Sequence, residues 1–114
     1  MTPLVNQPPY LNGIRIKHTP AVARGKHTPE HNQIVLRFAN GYEMSIVYGA
    51  MMHSRDTNGS PFTAQIPTDC FAGSVEIAIT DPQNEFVKFR DGDTVKGYTD
   101  MSELATIIAW VSTR

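Results

Sequence analysis

Gln33-Ile34-Val35-Leu36-Arg37-Phe38-Ala39-Asn40-Gly41-Tyr42-Glu43-Met44-Ser45-Ile46-Val47-Tyr48 decides the fold of this chain. Two runs rich in β-branched and aromatic residues flank a turn, the pattern of a β-hairpin. Asn40-Gly41 invites a two-residue loop, but that register pairs Phe38 with Glu43 and Leu36 with Ser45 and mixes both faces. A three-residue loop over residues 39–41 pairs Phe38 with Tyr42, Leu36 with Met44 and Ile34 with Ile46. Arg37 then stands opposite Glu43 on the other face. A one-residue slip moves every side chain to the wrong face, so the second register is the one expected. It needs positive φ at the last loop position, where Gly41 stands.

Downstream, Ser74-Val75-Glu76-Ile77-Ala78-Ile79-Thr80 reads as a strand with Val75, Ile77 and Ile79 inward. Asp81-Pro82-Gln83-Asn84 supplies a turn, proline suiting its second position. Phe86-Val87-Lys88-Phe89-Arg90 is expected to return as a further strand, and Asp91-Gly92-Asp93 turns the chain again. Thr99 or Asp100 then caps a helix, Asp100 and Glu103 having the spacing of a capping box. Met101, Leu104, Ala105, Ile108 and Val111 form one apolar stripe, widened by Ile107 and Trp110. Arg114 places a cation at the C-terminal end, where the helix dipole favours it. The predicted fold is α+β: an antiparallel β-sheet of three to five strands with one C-terminal α-helix packed on it.

Upstream, residues 1–32 hold five of the eight prolines and read as an extended arm with one short strand at residues 14–17. The domain boundary is therefore set between this arm and a domain at residues 33–114. Residues 1–37 carry five basic side chains and one acidic one, whereas the remainder carries five basic and ten acidic ones. The total of −1 over 114 residues thus hides a basic N-terminal third and an acidic body, and it excludes a uniformly basic nucleic-acid binder. With 40% hydrophobic and 18% charged residues the composition is globular and excludes full disorder.

Arg15, Lys17, Arg24 and Lys26 are the candidate partner-binding residues of the arm. Either they dock on the chain's own acidic body, or they reach a polyanion or another subunit. Residues 51–61 form a long, turn-rich loop, and loops this long tend to carry function. His53 and Arg55 are its candidate contact residues.

Catalytic and metal chemistry find little support. Lys17-His18-Thr19-Pro20 recurs as Lys26-His27-Thr28-Pro29, and His27 and His31 lie four apart. Two histidines fall short of the three or four ligands that zinc takes, so a solvated basic loop is expected. Asp91-Gly92-Asp93 lacks the remaining oxygen ligands of a calcium loop. Cys70 is the single cysteine, so no internal disulfide forms; a buried, inert thiol in a reducing cytoplasm is expected. No phosphate-binding glycine loop, nucleophile elbow or dinucleotide fingerprint is present. Tyr42, Tyr48 and Tyr98 would form a stacking surface if exposed, but Tyr42 and Tyr48 share the apolar face and are assigned to the core. No signal peptide is read at the start, and no run approaches the ~20 apolar residues of a membrane helix. The expectation is a non-enzymatic protein with no cofactor and no metal.

Residues 33–111 resemble a group of small uncharacterised proteins encoded by bacteriophages. Three pieces carry the resemblance: Phe38-Ala39-Asn40-Gly41-Tyr42-Glu43-Met44-Ser45-Ile46-Val47, Val75-Glu76-Ile77-Ala78-Ile79, and Asp93-Thr94-Val95-Lys96-Gly97-Tyr98-Thr99-Asp100. The group implies a phage origin and carries no assigned activity or catalytic residues. The resulting expectation is a binding protein, acting in the host cytoplasm, that inhibits or redirects a host protein or complex, including a defence complex. The alternatives are a nucleic-acid-associated module using the basic arm, and a virion or assembly accessory protein whose arm swaps onto a neighbour. The same arm allows a homo-oligomer; no membrane partner is expected.

Overall fold

The hairpin forms in the expected register. In a computed structural model that describes residues 11–19, 31–50, 52–62 and 70–114, strands β2 (His31–Phe38) and β3 (Glu43–Gly49) pair antiparallel. Ile34 lies opposite Ile46, Leu36 opposite Met44 and Arg37 opposite Glu43. The Phe38 N–H donates to the Tyr42 carbonyl at 2.8 Å and the Gly41 N–H to the Phe38 carbonyl at 3.0 Å, closing the three-residue loop with Gly41 at φ 92°. A side chain at 41 would be strained there, and its Cβ would stand 3.2 Å from Pro82 Cβ. Gly41→Val is expected to cost about 2 kcal/mol, read as a lowered midpoint in thermal unfolding.

Strand β1 (Leu11–Thr19) pairs with β2 and β5 (Ala72–Thr80) with β3, both antiparallel. A two-residue strand, β4 (Arg55–Asp56), and β6 (Val95–Asp100) each pair with β5. The sheet has six strands, more than the three to five expected, and two of the assignments change. Residues 86–90 are not a strand: they make one bridge, Thr80 with Phe86, and one further bond, Val87 N–H to the Ile79 carbonyl at 2.8 Å. A second reversal, with the Phe89 N–H donating to the Asp93 carbonyl at 2.7 Å, then turns the chain before a ladder can grow. β6 takes the edge of β5 in its place, with Val95 opposite Ala78 and Asp100 opposite Ser74. The strand expected at residues 14–17 extends to nine residues.

Helix α1 (Met101–Ser112) is capped as its sequence dictates. The Asp100 carboxylate accepts from the Glu103 N–H at 2.8 Å, and Glu103 accepts from the Asp100 N–H at 3.4 Å. Lys96 adds an ion pair to Glu103 at 2.8 Å. The C-terminal end is clamped from the hairpin turn: Asn40 Nδ2 donates to the carbonyls of Val111 at 2.7 Å and Arg114 at 3.2 Å. Carbonyls of the last helical turn lack partners inside the helix, so this turn side chain closes the helix and fixes it to the sheet. The core is Leu36, Phe38, Met44, Ile46, Val75, Ile77 and Ile79 on the sheet with Val111 on the helix. Leu104, Ile107 and Ile108 pack against it half-buried, whereas Met101 and Ala105 of the expected stripe are exposed.

Candidate partner-binding surface

Residues 49–62 are shaped by local hydrogen bonding. The buried Ser54 hydroxyl accepts from the Gly49 N–H at 3.0 Å and donates to the Gly49 carbonyl at 3.2 Å, fastening the reversal after β3. Asp56 organises the next turn, its Oδ1 accepting from the N–H groups of Asn58 and Ser60, both at 2.9 Å. Between these turns Arg55 is held on two sides, opposite Ser74 on β5 and bridged to Pro61. Gly73 admits the close approach, because a Cβ there would overlap the Asp56 carbonyl.

His53 is fixed through its backbone. Its N–H donates to Glu76 Oε2 at 2.9 Å, and its carbonyl accepts from the Tyr98 N–H at 2.7 Å. Its side chain lies on Gly97, where a methyl group would collide with His53 Cβ. The imidazole stacks on the Tyr98 ring, centroids 5.5 Å apart and planes 29° apart. The Arg55 guanidinium carbon sits 5.0 Å from the centroid of the same ring. Both loop candidates therefore converge on one tyrosine. Beside them a cleft of about 340 Å³ is lined by Met52, Ser54, Pro61 and Phe62 as well.

Tyr98 was weighed from the sequence only as one of three tyrosines of a stacking surface, not as a contact residue beside His53 and Arg55. It is 50% exposed and has φ 49°, a left-handed conformation uncommon for a bulky side chain. Strained residues of this kind cluster at functional sites. In β6 Thr99 is fully buried while its neighbours Tyr98 and Asp100 are exposed. Tyr42 and Tyr48, by contrast, pack against the core as expected.

The arm candidates separate from this cluster. Arg15 and Lys17 stand exposed on β1, opposite Val35 and Gln33 of β2. Arg24 and Lys26 lie outside the described residues, as does His27. His31 opens β2, so it does not have the helical spacing that a two-histidine metal face requires. Among the described residues no group of three or more His, Cys, Asp or Glu side chains is placed to hold a metal ion. Cys70 is half-buried rather than buried. No helix among the described residues is long and apolar enough to cross a membrane. Comparison of the chain with protein-family models, with curated proteins and with solved structures gives no match.

The arrangement gathers a half-exposed tyrosine ring, an imidazole stacked on it and a guanidinium over it, next to a small cleft. Tyrosine and arginine are the residue types that most often dominate binding energy at protein interfaces. Arg over an aromatic face keeps its planar donors available while the ring fixes its position.

Proposed function

We propose that this chain is a non-enzymatic binding protein that occupies a host protein or protein complex and inhibits or redirects it. A bacteriophage origin, the host cytoplasm as its place of action and a defence complex as its target belong to the same reading. The observation that carries it is Tyr98, a half-exposed ring in a strained backbone conformation that both His53 and Arg55 contact. A left-handed tyrosine costs folding roughly 1–2 kcal/mol, and a half-exposed ring recovers little of that by burial. Binding explains its position better than stability does. The basic stretch within residues 1–32, with Arg15, Lys17, Arg24 and Lys26, supports the reading by raising the association rate with an acidic protein surface.

Tyr98→Gly separates binding from folding. Glycine removes both the strain and the ring, so the variant is expected to melt at or above the parent temperature. Its affinity for the host protein that co-purifies with the parent chain is expected to fall about thirtyfold, the loss of one dominant interface residue of ~2 kcal/mol. Arg55→Ala is expected to act in the same direction. Parent-like affinity in both variants overturns the reading. Loss of the co-purified material on nuclease treatment assigns the surface to nucleic acid instead.

A further inference from the structure

The apolar rows of the sheet run outward to an edge that leaves them uncovered. Ile79, Met44 and Leu36 lie side by side and end at Ile14; Ile77, Ile46 and Ile34 end at Ile16. Along the first row exposure rises from 1% at Ile79 and 0% at Met44 through 8% at Leu36 to 61% at Ile14. Along the second it rises from 1% at Ile77 and 7% at Ile46 to 76% at Ile16. β1 is nine residues long, and among the described residues no strand pairs with its other side. Such an edge offers a row of backbone donors and acceptors to another chain.

The opposite face of β1 states what that chain should look like. Arg37 on β2 is answered by Glu43 on β3, but the cross-strand neighbours of Arg15 and Lys17 are Val35 and Gln33. Opposite charges directly across two strands stabilise a pairing and like charges destabilise it. We infer that the outer edge of β1 is a strand-addition site for an extended segment of a partner protein in which apolar and acidic residues alternate. The apolar side chains continue the two rows beyond Ile14 and Ile16, and the carboxylates meet Arg15 and Lys17. Main-chain bonds supply affinity in this mode, and the alternate side chains supply specificity. A second copy of the chain fits poorly, because the antiparallel self-pairing that matches Ile14 with Ile16 sets Arg15 against Arg15. The site shares no residue with His53, Arg55 and Tyr98, so it stands or falls apart from the function proposed above.

The test uses the full chain and a labelled, end-capped peptide of seven residues alternating valine and glutamate, followed by fluorescence anisotropy. Saturable binding is expected. A peptide of the same composition with its glutamates in one block, and one alternating valine and lysine, are each expected to bind at least tenfold more weakly. In the Arg15→Glu, Lys17→Glu double variant the preference should reverse toward the lysine peptide. Ile14→Thr with Ile16→Thr should weaken the glutamate peptide at least tenfold while leaving the melting temperature within a few degrees. Equal binding of the alternating and block peptides reduces the effect to net charge and overturns the proposal, as does absence of saturable binding. Sedimentation of the chain alone as a dimer that the isoleucine variants dissolve also overturns it, in favour of a second copy.

Discussion

Phe38→Ala is expected to destabilise the fold by about 3–5 kcal/mol, the usual range for emptying a buried phenylalanine site. Phe38 is 1% exposed, sits where the β2–β3 turn begins, and belongs to the cluster that joins the sheet to Val111 of the helix. Its backbone N–H and carbonyl both close the turn, at 2.8 and 3.0 Å, so the alanine variant keeps the turn and isolates the loss of the ring. Against a total stability of order 5–15 kcal/mol, such a loss moves the denaturant midpoint far while leaving the slope unchanged. Phe86 is the control: it is 60% exposed and lies in the segment that failed to become a strand. Phe86→Ala should stay within about 0.5 kcal/mol of the parent. A Phe38→Ala midpoint as close to the parent as that would mean that the hairpin is not the centre of the core.

The hairpin and the helix cap were legible because their determinants are local. Face alternation chose the register, and the Asp100–Glu103 spacing chose the helix start. The turn at residues 38–42 also shows what was legible and left unread. The same bonding, a first N–H to a fifth carbonyl and a fourth N–H to the first carbonyl, recurs at residues 56–60, 81–85 and 89–93. Each fourth position has positive φ, at Gly41, Gly59, Asn84 and Gly92. In each an Asn or Asp side chain accepts from a backbone N–H of the turn: Asn40, Asp56, Asp81 and Asp91. Recognising that repeated turn would have ended the strand expected at residues 86–90. β6 was not legible. Val95-Lys96-Gly97-Tyr98 carries no strong alternation, and it is strand only because β5 and the His53 carbonyl take up its backbone groups. The candidate site divides in the same way. His53 and Arg55 stood out from the chemistry of their loop, whereas Tyr98 reaches them through pairing between distant segments, which spacing along one chain does not encode.

Val111→Asp should abolish cooperative folding, whereas Met101→Asp on the same helix should leave stability within about 0.5 kcal/mol of the parent. The sequence stripe places both residues on one apolar face, but the structure does not treat them alike. Val111 is 0% exposed and Met101 is 43% exposed. Asn40 holds the Val111 carbonyl at 2.7 Å, so the C-terminal end of α1 is pinned against the sheet and its side chain has no path to solvent. A carboxylate there must be buried unpaired in the apolar core cluster or must expel the helix. Expulsion uncovers the core, and the loss should exceed the roughly 4–5 kcal/mol that marks exceptional substitutions. At position 101 an aspartate enters the first turn, where the helix dipole favours a negative charge. Trp110 reports the outcome directly. It is the only tryptophan, its ring centroid lies 6.4 Å from that of Tyr42, and the Arg114 guanidinium sits 4.3 Å from its centroid. Its emission should shift to longer wavelength in Val111→Asp and stay unchanged in Met101→Asp. Equal responses at the two positions would return the buried face to the full stripe from Met101 onward.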